Sequence, residues 1–350
     1  MSRITISGAG VVSPAGWGMG ELRDFISSGR VVEPDILERT TSGGLVVSTP
    51  VARVPPLADR SLLPKSPRLR RASSVGKFSA AAALEALGDE RLQAVVSGDL
   101  RLGVICSMMN GCVNYSNRFY GEVLADPAVA SPILFPETVY NAPASHVSAV
   151  TNSTAPNDTI IGDGAELFIA LDMAAEWLCR GDCDAVLVIA PEEADWLSAE
   201  ALRYYDPSIL AGEGAAAVLL ETNGSGPVLH CVPDVVSYAV EADRKKALGR
   251  LWSELSAGQG ENSLWVDGRV GVPRLDAAED SVSWSGRRLS TRRMLGEAMG
   301  ASAAIQLVTA IDALQQGDAD GAVVTSVGGN QGVGGCVLLP GDQSPGNGSA

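Results

Sequence analysis

The side chains best suited to covalent or acid–base chemistry are few in this sequence. Its 350 residues hold two histidines, His146 and His230. A mechanism that needs two or three imidazoles converging on one site therefore has almost no material. His146 falls on a helix expected after Asn141, and His230 is expected just after the first strand of the chain's second half; both read as packed or surface side chains. The six cysteines, Cys106, Cys112, Cys179, Cys183, Cys231 and Cys336, form no Cys-x-x-Cys pair. A zinc site would want a second pair together with histidines, so all six read as buried reduced thiols, and neither a metal nor a cofactor is expected. The basic run Lys65, Arg68, Arg70, Arg71 and Lys77 reads first as a solvated loop and second as a local docking edge.

Those residues are carried by a chain that is 46% hydrophobic, with 26 basic and 41 acidic residues, a net charge of −15 and a pI near 4.6. That is enough apolar material for a proper core. The acidic balance argues against a nucleic-acid or anionic-membrane partner. No stretch approaches the roughly 20 apolar residues of a membrane span. With no charged leader ahead of an apolar segment, the expected location is the cytoplasm.

Strand-like runs recur at Arg3–Ser7, Leu102–Cys106, Asp158–Ile161, Ala185–Ile189, Ala215–Glu221, Ser263–Val266, Ala322–Thr325 and Gly335–Leu339. Apolar residues at i, i+3, i+4 spacing predict helices over Ser73–Leu87, Glu166–Arg180, Lys245–Leu255 and Ala298–Gln316. Glycine is abundant (39) and aromatic residues are scarce (5%), which suits helices packed closely on buried sheets. The class is α/β. Val54–Pro67 reads as a loop and the tail 341–350 as disordered.

A 136-residue shift places the chain on itself: over positions 164–188, ten of 25 residues are identical to 300–324. Both copies read as a helix opening on Gly-Ala, a Gly-Asp-x-Asp turn and a buried strand, so two similar halves are expected, 1–222 and a shorter 223–340. The alternative is that two Ala-rich helices happen to share a turn type.

An ordered set of segments resembles the β-ketoacyl synthases, which have the thiolase fold. Ile4 to Pro14 is similar to that family's opening strand and turn, Ser79–Leu87 to its first Ala-rich helix, and Asn141-Ala142-Pro143-Ala144 to the loop before its nucleophile strand. Ala211-Gly212-Glu213-Gly214 through Glu221 resembles its Gly-Glu-Gly-Ala-Gly strand. Leu295 to Ala301 resembles its Lys-x-x-x-Gly-His-x-x-Gly-Ala segment, and Ser326–Gly329 to Gly335 its glycine-rich terminal loop. The resemblance implies a duplicated, layered αβαβα fold.

The family's condensing chemistry uses a cysteine at a helix N-terminus, two histidines and a lysine. Here the nucleophile position falls on Gly164, the histidines on Asp267 and Glu297, and the lysine on Arg292. Asp163, Glu166, Met108, Met109, Gly328 and Gly329 are the expected pocket residues. The resemblance thus implies a non-catalytic, chain-length-factor-like subunit that pairs with an active ketosynthase and helps to bound its acyl tunnel. Gly164 departs from the glutamine usual in chain-length factors, and the chain is short for the family after Glu221. An acyl carrier protein, being acidic, would dock mainly on the partner. The alternative is a homodimeric enzyme in which Asp163, Glu166, Asp267 and Glu297 converge for acid–base work on an acyl thioester, or hold a divalent cation. Against it stands the ordinary preference of Asp163 and Glu166 for a helix's first turn, and pairing of Glu297 or Asp267 with Arg292.

Overall fold

Each half of the chain builds the same sheet. In the computed structural model, which describes residues 3–329 and 331–341, the first half contributes strands Ile4–Ser13, Leu102–Met108, Asn157–Ile161, Ala185–Glu192 and Gly214–Thr222. The second contributes Val228–Cys231, Leu264–Val266, Arg287–Leu289, Ala322–Val327 and Gly332–Leu339. Numbered within its own half, each set lies in the order third, second, fourth, fifth, first. In both, the third, second and fourth strands are parallel and the fifth is antiparallel to its two neighbours. The halves join where the two first strands pair antiparallel at Thr5 and Val228. The fold is therefore a duplicated, thiolase-like one. Positions 342–350 of the tail expected to be disordered lie outside the described residues.

The layers follow from side-chain alternation along the parallel strands. Val186, Val188 and Ala190 face a core shared with the central helices Glu166–Arg180 and Gly300–Gln315, while Ala185, Leu187 and Ile189 face the opposite way, toward the long helix Ser74–Ser97. Val266, Val324, Cys336 and Leu338 of the second sheet reach the same shared core, and Trp265, Val323 and Val337 pack outward with the helix Arg244–Leu255. The helix Gly300–Gln315 is buried almost all round, as its Ala-Ile-Leu-Val composition requires of a middle-layer element.

All eight strand-like runs and all four helical patterns fall in elements of the expected type. The long helix is interrupted at Gly88 (φ 67°, ψ 167°), one residue beyond the predicted end at Leu87, and resumes to Ser97. Periodicity did not show the hairpin Asp35–Thr40 and Val46–Ala52, whose outward side chains are largely exposed. Two readings change. His230 lies inside strand Val228–Cys231 with its side chain exposed. Cys179 is exposed and Cys231 half-buried, because each falls on the outer side of its element; Cys106, Cys112, Cys183 and Cys336 are buried, and all six are free. Among the described residues, no helix is long and apolar enough to cross a membrane.

Candidate functional site

The site grows from the meeting of the two central helices. A Cβ on Gly300 would stand 2.9 Å from both Glu166 Oε1 and Glu192 Oε1, so a glycine is what lets the second helix begin against the first half. Glu166 Oε2 accepts the Gly164 N–H, while its Oε1 has no partner. Glu192, fully buried at the end of its strand, accepts N–H groups from Met109, Asn110 and Gly111. Burial outweighs those donors and pushes its carboxyl up to about 8; burial also raises Glu166.

Gly164 stands at φ 104°, where side chains other than glycine's are strained, and a Cβ there would be 3.2 Å from Ser326 Oγ. Ser326 accepts from Arg292 Nη2 at 2.7 Å; Arg292 Nη1 donates to Glu297 Oε2 at 2.9 Å and Nε to Gln306 at 3.0 Å. Glu297 Oε1 in turn accepts from the Met299 N–H (2.6 Å) and Ser302 Oγ (2.9 Å). Arg292 and Glu297 are therefore a buried, hydrogen-bonded ion pair. Met299, at φ 49°, is a rare positive-φ residue other than glycine, and the Glu297 contact holds it there.

Asp267 does not join this group. It is fully buried, with Arg269 Nε at 3.0 Å, Arg288 Nε at 2.5 Å and Ser290 Oγ at 2.7 Å, and Arg288 stacks 3.9 Å above the Trp265 ring. Between Asp267 and Arg292 stands Glu279, which sequence reasoning missed. Glu279 Oε1 accepts from the Gly268 N–H (2.9 Å) and Thr325 Oγ1 (2.5 Å). Burial, reinforced by the Asp267 charge, pushes it up to about 7.

Beside the Arg292–Glu297 pair opens a cavity of about 80 Å³. Met109, Leu202, Ile209, Leu275, Met299 and Val327 give it apolar walls; Asp163, Arg244, Glu279, Arg292 and Glu297 supply polar groups, and Gly328 and Gly329 form part of its rim. Of the residues expected to line a pocket, Met108 and Glu166 do not. Met108 ends a strand and points oppositely to Met109, into the core, and Glu166 turns back onto Gly164. Gly164 and Asp267 also lie off the cavity wall. The carboxylates expected to converge thus part company: Asp163 and Glu297 reach the cavity, Glu166 and Asp267 do not. Among the described residues, no group of three or more His, Cys, Asp or Glu is placed to hold a metal ion.

Neither histidine enters this region. His146 is buried 2.7 Å from Glu137, whose other oxygen accepts the Ser73 N–H, and the pair ties the segment before the helix Ala142–Thr151 to the start of the long helix. Sequence reasoning also missed Tyr205, Arg244 and Leu275. Tyr205 and Leu202 come from the helix Trp196–Tyr205, fixed by a capping box in which Asp195 accepts the Leu197 N–H and the Asp195 N–H donates to Ser198 Oγ at 3.0 Å. Asp195→Ala should lower stability by about 1 kcal/mol in urea unfolding.

The fold is of the thiolase-like type seen in ketosynthases. Among solved structures, the chain is similar to the ishigamide ketosynthase/chain length factor, with 21% identity over 97% of this chain and 99% of that one and a TM-score of 0.77. It is also similar to one chain of a structure described as a type II polyketide synthase acyl-carrier protein in complex with its ketosynthase bound to the hexaketide (16% identity, 97% and 99% covered, TM-score 0.74). A β-ketoacyl synthase from Burkholderia phymatum gives 16% identity, 97% and 100% coverage and a TM-score of 0.72. No family model matches the sequence, and no curated protein matches it.

Proposed function

We propose that this protein is a chain-length-factor-like subunit that pairs with an active ketosynthase in type II polyketide or specialised fatty-acid assembly and does not itself condense. The observation that carries this reading is the Arg292–Glu297 ion pair, each partner consumed by the other and by Gln306, Ser326, Met299 and Ser302, beside a nucleophile position that has no side chain. Groups so committed have no free proton acceptor to offer an extender unit. A pairing surface is available at the strand Asn157–Ile161, which is hydrogen-bonded on one side only. Ile161 on it and Ile169 on the helix packed against it are exposed, as an interface core would leave them in an isolated subunit. The acyl carrier protein meets mainly the partner, since this chain carries −15.

The test is reconstitution. Co-expressed with an intact partner ketosynthase, the protein should co-purify as a heterodimer, and omitting it should abolish or shorten the product. Gly164→Cys should not confer condensation: the thiol would sit at φ 104° with no imidazole facing it. A homodimer that condenses unaided, or a condensing Gly164→Cys variant, would overturn the reading.

One observation favours a second reading, an enzyme with carboxyl acid–base chemistry on an acyl thioester. Glu279, held near 7 at the cavity wall, has the proton affinity that a general acid or base needs at neutral pH. Turnover of an acyl thioester by the isolated protein, lost in Glu279→Gln, would establish it.

A further inference from the structure

Arg244 is the least expected charge in the molecule. It is the first residue of the helix Arg244–Leu255, it is 4% exposed, and it lines the cavity. Its Nη2 donates to the Val327 carbonyl at 3.3 Å, while Nε and Nη1 have no hydrogen-bond partner. A buried guanidinium normally has a carboxylate beside it, because an unpaired charge away from water is costly. No carboxylate oxygen forms an ion pair with Arg244 among the described residues. Its position at a helix N-terminus adds the positive end of the helix dipole to its own charge instead of offsetting it.

The carboxylates that share the cavity wall already have donors. Glu297 is held by Arg292, Met299 and Ser302. Asp276 accepts the N–H groups of Val270 and Gly271, one on each oxygen. Glu279 accepts from Gly268 and Thr325, and Asp163 from the N–H groups of Gln331 and Gly332. Tyr238 donates its hydroxyl proton to the Gly328 carbonyl, and its oxygen lies beside Arg244 as a neutral neighbour that brings no negative charge. The imbalance is therefore one of charge: the carboxylates on the wall have donors of their own, while Arg244 is ion-paired to none of them and keeps Nε and Nη1 without a hydrogen bond. Polar groups with no protein partner that face a preformed cavity mark where a ligand's complementary group belongs.

We propose that this cavity binds the anionic end of a short aliphatic ligand, a carboxylate or a phosphate, with Arg244 as the anchoring cation. The apolar residues Leu202, Ile209, Leu275 and Val327 contact its chain. The binding reading stands on the cavity alone and holds whether or not the protein pairs with a ketosynthase.

The full-length protein would be titrated with hexanoate, hexyl phosphate and 1-hexanol, following ligand binding by saturation-transfer NMR. At least one of the two anions should bind ten or more times as tightly as the alcohol, and the better of the two identifies the anion. Arg244→Gln should erase the preference and Arg244→Lys should keep part of it. If Arg244→Gln fails to fold, the wild-type ¹⁵Nε resonance of Arg244, assigned by its disappearance in Arg244→Lys, should move with the preferred anion and stay still with hexanol. Equal binding of hexanol, no binding of any of the three, an unmoved Nε resonance, or a preference that survives in Arg244→Gln would each overturn the proposal.

Discussion

Arg292→Met will unfold at markedly lower denaturant than the wild type, with a loss of about 3–5 kcal/mol. The substitution leaves the Glu297 carboxylate buried without its cation, and takes a donor from Gln306 and from Ser326 as well. Removing the second charge should return much of the loss. In Arg292→Met/Glu297→Gln the amide oxygen still accepts from Met299 and Ser302, so the two positions should show a strong favourable coupling in a double-mutant cycle. Urea unfolding of the four proteins measures it. Additive effects, or a single Arg292→Met that melts with the wild type, would show that Arg292 and Glu297 are not committed to each other and would undercut the reading built on that pair.

The second large effect concerns pH. The Glu279 carboxyl is raised in the folded protein to about 7 from its ordinary value of 4.5. The folded state therefore holds this proton more tightly than the unfolded chain. Its contribution is fully present below about 4.5 and is lost as pH rises toward 7, because above that the fold must carry a buried carboxylate close to Asp267. A difference of that size corresponds to roughly 3 kcal/mol between the two ends of the window. Glu279→Gln keeps an oxygen for the Gly268 N–H and the Thr325 hydroxyl and cannot ionise. The variant's stability relative to the wild type should be flat at and below about pH 4.5, rise from there to about pH 7.5, and level off beyond. A difference that stays constant across the range would mean that Glu279 titrates as an ordinary glutamate.

Much of this architecture is legible in one dimension. The central helix Glu166–Arg180 was bounded to the residue because an amphipathic repeat runs between an acidic first turn and a C-capping glycine, and such signals are local. The offset repeat between 164–188 and 300–324 reappears as two halves of one continuous sheet with identical strand order. The hairpin at 35–52 left no periodic trace, because its outer side chains face solvent and nothing selects their polarity. In the site, Arg292 and Glu297 were placed together because they lie five positions apart in one segment, with a single turn between.

The sequence alone determined the class of fold, the duplication, and the residue types at Gly164, Asp267, Arg292 and Glu297, since these depend on composition, period and order along the chain. Only the tertiary structure decided which carboxylates meet. Asp267 is drawn away by Arg269 and Arg288, Glu279 is carried in on the short turn Glu279–Ser281, and Arg244 is buried at the head of a helix whose other cations are exposed. Hydrogen-bond competition and burial are properties of a three-dimensional neighbourhood, and residues 40 to 83 positions apart in the chain help to supply that neighbourhood here. The scarcity of histidine limited the chemistry from the start; how the remaining charges neutralise one another was settled by packing.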